Sequence, residues 1–202
     1  MIRAVIFDYG GVLVDMRWDV ARAIEAEHAL VAGTIPRTLY SCDAWKRVEV
    51  GDYPRDAWLR EAHEAIEQHA GRAMPPLHSQ WRGEWGLIEP NIEIVRRLRE
   101  RYRVSVLSNA DYTLQDTMRE RGIHSLFHDV VCSADVGLAK PDARVFALAA
   151  QRLGVDAGAC VFVDDTEANV TAARDAGMAA VHFRVFQGDA LVEQLAAVGV
   201  TI

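Results

Sequence analysis

Short apolar segments alternate with helical patterns over residues 1–14 and roughly 90–202, and this alternation limits the chain to few folds. The segments are brief and β-branched or apolar, as is typical of strands buried on both faces. They are Arg3–Phe7, Val104–Leu107, Val130–Cys132, Cys160–Val163 and Ala179–Phe183. The pattern predicts an α/β fold, with a Rossmann-like parallel sheet and helices on both faces.

Helical patterns fill the spaces between these segments. The predicted helices are Ile92–Tyr102, Leu114–Arg121, Ala143–Leu153, Ala168–Ala176 and Ala190–Val198. Gly122, Gly154 and Gly177 follow three of them, where a left-handed residue is expected to end a helix. Lys140-Pro141 is expected to open a helix, because proline suits the first helical position.

Residues 16–85 interrupt the alternation. They contain helical patterns at Val20–Ala32 and Ala57–Ala70 and no convincing strand. The tryptophans concentrate here, at Trp45, Trp58, Trp81 and Trp85, with Trp18 at the entrance. An all-helical insertion after the first strand of an α/β domain is typical of a cap or lid. We therefore predict an α/β core domain of residues 1–15 and 86–202, and a helical cap of residues 16–85.

Charge and composition exclude several classes of partner. The net charge of −7, without a basic block, argues against nucleic acid. No apolar run is long enough to span a bilayer, and Asp8 interrupts the apolar start that a signal peptide would need. Cys42, Cys132 and Cys160 are far apart, so we expect reduced thiols in a cytoplasmic protein. No pattern indicates an oligomeric state.

Polar residues cluster where the predicted strands end. Asp8 follows the first strand, Ser108-Asn109 the second and Asp164-Asp165 the fourth. Open α/β sheets bind ligands at this edge. Each group alone is typical of a turn or helix cap, but adjacent buried carboxylates repel one another unless a cation or proton intervenes. Together with Lys140 they predict a magnesium and phosphate site, with an aspartate as candidate nucleophile.

The spacing of these residues resembles that of a known family. Phe7-Asp8-Tyr9-Gly10-Gly11-Val12-Leu13 is similar to the first motif of the haloacid dehalogenase-like hydrolases, and Leu107-Ser108-Asn109 to the second. Lys140-Pro141-Asp142 is similar to the third, and Val163-Asp164-Asp165 with Asn169-Val170 and Ala176-Gly177-Met178 to the fourth. The helical insertion lies where the family's helical (C1) cap class, subfamily I, carries one.

The resemblance implies a role for each motif residue. Asp8 would be the nucleophile and a magnesium ligand, and Gly10 would offer its carbonyl to the metal. Asp165 would complete the protein ligands, and Asp164 would be either a further ligand or a partner of the ligands. Ser108 and Asn109 would bind phosphate, and Lys140 would pair with Asp8 and the phosphoryl oxygens. The implied activity is a magnesium-dependent phosphomonoesterase acting on a small phosphorylated metabolite, with sugar phosphates as one expected class.

The chain departs from the family pattern at Gly10. Family phosphatases usually carry a second aspartate there, as acid for the leaving alcohol, and glycine cannot fill that role. The form Asp-x-Gly-(Gly or Asn)-Val is similar to that of some sugar-phosphate phosphatases, so activity is still expected. Asp15 is the nearest carboxylate downstream, and a flap or capping role is expected for it.

Two other enzyme classes and one non-enzymatic class are alternatives for a chain with these motifs. A metal-free 2-haloacid dehalogenase is disfavoured because Asp164-Asp165 would repel a carboxylate substrate, and a phosphomutase is disfavoured by Gly10. A degenerate binding protein that kept the fold is the third alternative. In the cap, Trp45-Lys46-Arg47 and the Glu49-x-Gly51 turn are candidates to face the pocket, although tryptophan is more often a core residue and a basic pair more often solvated.

Overall fold

The computed structural model describes residues 1–202 and contains seven strands. They are β1 (Ala4–Phe7), β2 (Val14–Asp15), β3 (Gly86–Leu87), β4 (Arg103–Ser108), β5 (Asp129–Cys132), β6 (Cys160–Asp164) and β7 (Ala179–His182). Five of them form a parallel sheet in the order β5-β4-β1-β6-β7. β1 is central, with Val5 paired to Val104 on one side and to Val161 on the other. The predicted parallel sheet is confirmed.

Eleven α-helices accompany the strands. They are α1 (Trp18–Glu27), α2 (Thr34–Tyr40), α3 (Asp43–Val48), α4 (Arg55–Ala70), α5 (Leu77–Gly83), α6 (Glu89–Leu98), α7 (Leu114–Glu120), α8 (Ser133–Val136), α9 (Ala143–Leu153), α10 (Glu167–Asp175) and α11 (Leu191–Ala197). The first five lie between β2 and β3, and the other six follow the α/β alternation. None is long and apolar enough to cross a membrane.

The parallel sheet buries both of its faces, as the apolar strands predicted. Along β1, Val5 and Phe7 belong to a cluster of 25 buried residues, while Ala4 and Ile6 belong to a cluster of 15. Successive side chains of a strand point to opposite faces, so each face has its own core. Burying one such aliphatic side chain contributes about 1.5–3 kcal/mol before entropy is counted.

The helical segment has a separate core of 13 buried residues. Aromatic rings form much of it, with centroids 4.9 Å apart for Trp45 and Trp58 and 5.2 Å apart for Trp18 and Trp81. The Trp58 indole donates to the Leu39 carbonyl at 2.7 Å, so its buried N–H is satisfied. Helices α1–α5 can therefore pack among themselves without help from the sheet.

The two connections between sheet and helical segment lie side by side. β2 and β3 pair in antiparallel fashion, with Val14 opposite Leu87 and Asp15 opposite Gly86. The boundaries proposed from the sequence, 15/16 and 85/86, fall at this ribbon. Sequence analysis missed both strands, because a two-residue strand has no measurable periodicity.

The predictions for helix ends are confirmed at three glycines and wrong at one helix start. Gly122, Gly154 and Gly177 have φ values of 71°, 69° and 89°, as predicted for residues that end helices. The prediction that Lys140-Pro141 opens a helix was wrong. α9 begins at Ala143, because Asp142 is its N-cap and accepts the Arg144 amide at 2.9 Å.

Predicted helix lengths were wrong at two places. The helix predicted over Val20–Ala32 ends at Glu27, because Ala29 has a φ of 58° and leaves the helical conformation. The helix predicted over Ile92–Tyr102 begins earlier, at Glu89, and ends at Leu98. Two buried thiols, Cys132 and Cys160, act as small core residues.

Candidate active site

Three aspartates meet at one edge of the parallel sheet. Asp8 directly follows β1, while Asp164 ends the neighbouring strand β6 and Asp165 follows it. One carboxylate oxygen from each lies within 4.8 Å of the others. Ser108, at the end of β4 on the other side of β1, is buried and lines the same cavity. The structure thus brings together the strand ends that the sequence singled out.

Lys140 is the cation of this cluster, and its side chain is only 2% exposed. Its ammonium lies 2.8 Å from Asp8 Oδ1 and 2.7 Å from Asp164 Oδ2. The Phe162 ring centroid is 5.3 Å from the same nitrogen, so the third side of the ammonium faces an aromatic surface. A buried ammonium needs such partners, because it cannot stay charged in an apolar environment without them.

Asp164 and Asp165 have different surroundings despite being adjacent. Asp164 is fully buried, and besides Lys140 it accepts the Thr166 amide at 2.7 Å and the Asn169 amide group at 3.1 Å. The Asp165 carboxylate is half-buried and accepts only the Thr166 hydroxyl, at 3.3 Å. Asp164 therefore holds Lys140 and the loop after β6, whereas Asp165 keeps oxygen atoms available to a ligand.

The electrostatics of the cluster favour an additional cation. Burial, together with the charges of Asp164 and Asp165, raises the pKa of Asp8 to about 7 against the lowering influence of Lys140. Burial and the charge of Asp164 also raise the pKa of Asp165. Burial alone would lower the pKa of Lys140, but Asp8 and Asp164 outweigh it and raise the pKa, so Lys140 stays charged. One lysine leaves net negative charge among three carboxylates.

The residues present fit a hard divalent ion. Carboxylate and carbonyl oxygens are the ligands that magnesium prefers, and Gly10 lines the cavity beside Asp8 and Asp165. Gly11 has a φ of 75°, and a Cβ there would lie 2.2 Å from Asp165 Oδ2. Only glycine leaves that carboxylate in place at this conformation.

Asn109 links the cluster to the helical segment. Its amide group donates to Glu49 Oε2 at 3.0 Å and to the Lys140 carbonyl at 2.9 Å, and its carbonyl accepts the Lys140 amide at 2.8 Å. The Asn109 side chain thereby fixes the backbone of Lys140. The same side chain also contacts α3's end, where Glu49 lies.

A cavity of about 790 Å³ lies between this edge and the helical segment. Its aromatic lining comes mostly from the helical segment: Trp18, Tyr40, Trp45, Trp58 and Trp85. Of the cap residues singled out from the sequence, Trp45 and Glu49 line the cavity, while Gly51 packs against the Ala134 backbone. Such a volume suits a small-molecule ligand.

Three further sequence candidates lie outside the cavity lining. Lys46 is exposed and pairs with Asp43 at 2.7 Å. The Arg47 guanidinium stacks over the Tyr53 ring at 4.3 Å. The Asp15 carboxylate accepts the Arg17 amide at 2.8 Å, as a turn-capping residue does.

Sequence reasoning missed an ion cluster in the cavity wall. The carboxylate of Asp111, in the loop after β4, lies 3.2 Å from Arg55 Nε and 3.9 Å from Arg82 Nη2. Both arginines belong to helices of the inserted segment. Asp111 also accepts the Thr113 amide at 2.9 Å, and this Asp-x-Thr turn was the one local signal available.

At Gly10, where the family's second aspartate would stand, the neighbouring space is apolar. A Cβ on Gly10 would lie 3.0 Å from Met16 Sδ. Met16 also lines the cavity. No carboxyl group stands at this position, so the acid of the usual family pattern is missing from the structure as well as from the motif.

Known proteins resemble this chain over most of its length. A phosphatase of Mycobacterium tuberculosis is 28% identical over 204 aligned positions, covering 89% of this chain and 86% of that protein. The glyceraldehyde 3-phosphate phosphatase of Methanopyrus kandleri is 42% identical over 64 positions, covering 31% of this chain and 28% of that protein.

A crystal structure of a HAD family enzyme from Bacteroides thetaiotaomicron, in complex with magnesium and inorganic phosphate, has the same fold. Its TM-score is 0.70 at 18% identity, over 96% of this chain and 98% of that one. Residues 2–177 match the sequence model of a family described as haloacid dehalogenase-like hydrolase. With the sheet, the inserted helices and the strand-end aspartates in the family's order, this match shows that the chain belongs to the haloacid dehalogenase-like hydrolases.

Proposed function

We propose that this protein is a magnesium-dependent phosphomonoesterase that forms a transient phosphoenzyme on Asp8. The observation that carries the proposal is the cluster of Asp8, Lys140, Asp164 and Asp165 at the base of a cavity of about 790 Å³. The phosphatase relative that aligns with 89% of the chain supports the same reaction class. The substrate would be a small phosphorylated metabolite, and the relative that acts on glyceraldehyde 3-phosphate supports sugar phosphates as a class.

Asp8 is oriented for nucleophilic attack. Its Oδ1 accepts the Tyr9 amide at 2.7 Å and lies 2.8 Å from the Lys140 ammonium. Both contacts use one oxygen, which leaves Oδ2 as the atom that would bond to phosphorus. The positive charge of Lys140 lowers the pKa of Asp8 and so favours the ionised carboxylate, against the larger effect of burial.

The other motif residues would bind the phosphoryl group and the metal. Ser108 would donate its hydroxyl to a phosphoryl oxygen, and Lys140 would offset phosphoryl charge while Asn109 holds its backbone. Asp8, Asp165 and the Gly10 carbonyl would hold magnesium, with Asp164 behind them. The ion would supply positive charge at the phosphoryl oxygens and relieve the repulsion among the carboxylates.

The helical cap, residues 16–85, would act as a lid that excludes water from the reacting phosphate. Its helices supply most of the aromatic cavity wall, and Glu49, Arg55 and Arg82 contact residues of the loops after β4. Closing such a lid completes a site and often limits turnover. A haloacid dehalogenase is the alternative of the same fold, but the uncompensated carboxylates would repel its carboxylate substrate.

The decisive experiment measures hydrolysis of a phosphorylated-metabolite panel and of 4-nitrophenyl phosphate with and without magnesium. Excess chelator should abolish phosphate release, and added magnesium should restore it. Halide release from 2-haloacids is measured in parallel. Undiminished phosphate release in chelator would show that hydrolysis does not depend on magnesium. Halide release without phosphate release would show that the protein is a dehalogenase and not a phosphatase.

A further inference from the structure

Gly10 leaves this site without the usual proton donor, and the helical cap offers a replacement. We propose that Glu49 is a catalytic acid and base: it protonates the oxygen of the leaving alcohol and then deprotonates the attacking water. This inference rests on the proposed phosphatase function. If Glu49 has this role, the cap takes part in the chemistry as well as covering the cavity.

The other acidic groups of the cavity are already occupied. Four carboxyl groups line it, those of Asp8, Glu49, Asp111 and Asp165. Asp8 is held by Lys140 as the nucleophile, and Asp165 belongs to the metal cluster. Asp111 accepts from the Thr113 amide and hydroxyl and pairs with Arg55, so its carboxylate oxygens are already engaged. Only Glu49 remains.

His78 also lines the cavity, but its protonation state is wrong for an acid. It is buried, and its Nε2 lies 3.0 Å from the Thr38 hydroxyl. Burial and then the charge of His63 lower the pKa of His78 to about 4, so its imidazole is neutral near pH 7. A neutral imidazole is a poor general acid at that pH.

Glu49 is placed next to the phosphate end of the cavity by Asn109. The Asn109 amide group joins Glu49 Oε2 (3.0 Å) to the Lys140 carbonyl (2.9 Å), and the Lys140 ammonium lies 2.8 Å from Asp8. Asn109 directly follows Ser108, the proposed phosphate-binding residue. A leaving oxygen on a phosphoryl group between Asp8 and the cap would therefore face the side of the cavity that carries Glu49.

The environment of Glu49 also suits proton transfer. Burial raises the pKa of Glu49, while the hydrogen bond from Asn109 and the charge of Lys140 lower it by less. A raised pKa keeps more of this carboxyl group protonated near neutral pH, and catalytic acids work best when their pKa lies near the operating pH.

The two half-reactions balance with Glu49 as the only proton carrier. In the first, an Asp8 oxygen bonds to phosphorus, the bond from phosphorus to the alcohol oxygen breaks, and that oxygen keeps the electron pair and takes the Glu49 proton. In the second, water bonds to phosphorus and gives a proton to the Glu49 carboxylate, while Asp8 leaves with its electron pair. The products are alcohol and inorganic phosphate, and both side chains are restored.

A purely structural role of Glu49 would be to tie the cap to Asn109, and Glu49→Gln separates the two roles. Glutamine is the same size and still accepts the Asn109 hydrogen bond, but it cannot release a proton. Rates of alcohol release in a single turnover, which report the first half-reaction alone, are measured with magnesium for 4-nitrophenyl phosphate, phenyl phosphate and glycerol 1-phosphate, whose leaving groups become progressively less acidic. Glu64→Gln, an exposed cap residue, is the matched control.

We expect Glu49→Gln to slow single-turnover release of glycerol from glycerol 1-phosphate by about 100-fold or more and to slow release of 4-nitrophenol far less, because a good leaving group needs no proton. Adding Gly10→Asp to Glu49→Gln should restore part of the alkyl ester rate, since Met16 is flexible enough to make room for the new side chain.

Equal losses on all three esters, or none, would overturn the role of Glu49 and leave the phosphatase proposal intact. If the wild type cleaved none of the esters or metabolites, the phosphatase proposal itself would fail.

Discussion

The α/β core and the helical cap differ in the side chains that fill them and in the burial of their charged groups. The two faces of the sheet are packed mainly with aliphatic residues. The core of the cap also contains three buried tryptophans, and its tryptophan rings contact one another at centroid distances of 4.9–5.3 Å. In the core, the charged groups of the site are buried and lie 2.7–2.8 Å apart. In the cap, the charged cavity residues Arg55 and Arg82 are 23% and 26% exposed and lie 3.2 and 3.9 Å from their partner.

This difference in packing suggests that the core and the cap have different roles. Charges that must stabilise a phosphoryl group need fixed positions and a low dielectric, and the end of a parallel sheet provides both. A cap packed from large aromatic rings can be reshaped at its inner wall without disturbing those charges. Four experiments test this division of roles, in descending order of expected effect.

Asp8→Asn should produce the largest effect. The substitution keeps the shape of the side chain but removes the charge that is proposed to attack phosphorus, so turnover should fall by roughly 1,000-fold or more while circular dichroism stays unchanged. Asp43→Asn makes the same change on an exposed cap residue and should leave turnover near that of the wild type. Near-native turnover of Asp8→Asn would mean that the nucleophile lies elsewhere.

The only two lysines of the chain offer a second test, because each region contains one. Lys140→Met leaves Asp8 and Asp164 buried without their cation, and should lower the free energy of unfolding by about 3–5 kcal/mol. Lys46 is exposed and pairs only with Asp43, so Lys46→Met should change the free energy of unfolding little.

The measurement is urea unfolding at pH 8 with chelator present, so that no added cation replaces the ammonium. Magnesium should then recover part of the loss in Lys140→Met. Equal small changes in the two variants would contradict the view that the core site depends on a buried cation.

The core was predictable from sequence because its determinants are local. Parallel strands buried on both faces read as apolar runs, and the sheet topology then places Asp8, Ser108 and Asp164 at one edge without any further information. The predicted helix Ala143–Leu153 matches α9 residue for residue, since it has a strong apolar stripe, Asp142 before it and Gly154 after it.

The cap was predictable only as helical. α2, α3 and α5 have six or seven residues each, too few for a clear period, and they are held by aromatic packing between distant positions. The contacts that complete the cavity are equally non-local: Glu49 and Asn109 are 60 positions apart. Arg55 and Asp111 pair across the two regions, and no single-sequence pattern encodes such a pairing.

Acid should weaken the packing of the cap through His78. Burial lowers its pKa to about 4, whereas an unfolded histidine titrates near 6.5, so the unfolded chain binds more protons between these pH values. The neutral, buried imidazole therefore contributes stability that is present above pH 6.5 and is lost as the pH falls through 6.5 towards 4. The loss at pH 4 amounts to about 3 kcal/mol.

His78→Gln, which retains a partner for Thr38, removes this titration. The difference in free energy of unfolding between wild type and His78→Gln should change by about 3 kcal/mol from pH 7 to pH 4. The exposed His69→Gln is the control and should show no such change. A difference between wild type and His78→Gln that is independent of pH would show that His78 binds its proton as readily in the folded protein as in the unfolded chain.

The ion pair between cap and core should have the smallest effect. Asp111 is buried, but Arg55 is partly exposed and Arg82 is more distant, so solvent screens the attraction more than at Lys140. A double-mutant cycle with Arg55→Gln and Asp111→Asn, read by urea unfolding, should give a coupling of about 1 kcal/mol. Arg60→Gln, on the exposed side of α4, should show no coupling with Asp111→Asn. A coupling as large as the loss in Lys140→Met would mean that cap and core are locked as firmly as the site itself, which leaves no room for a lid. The expected small coupling instead fits a cap that is held closed by contacts weak enough to break in each catalytic cycle.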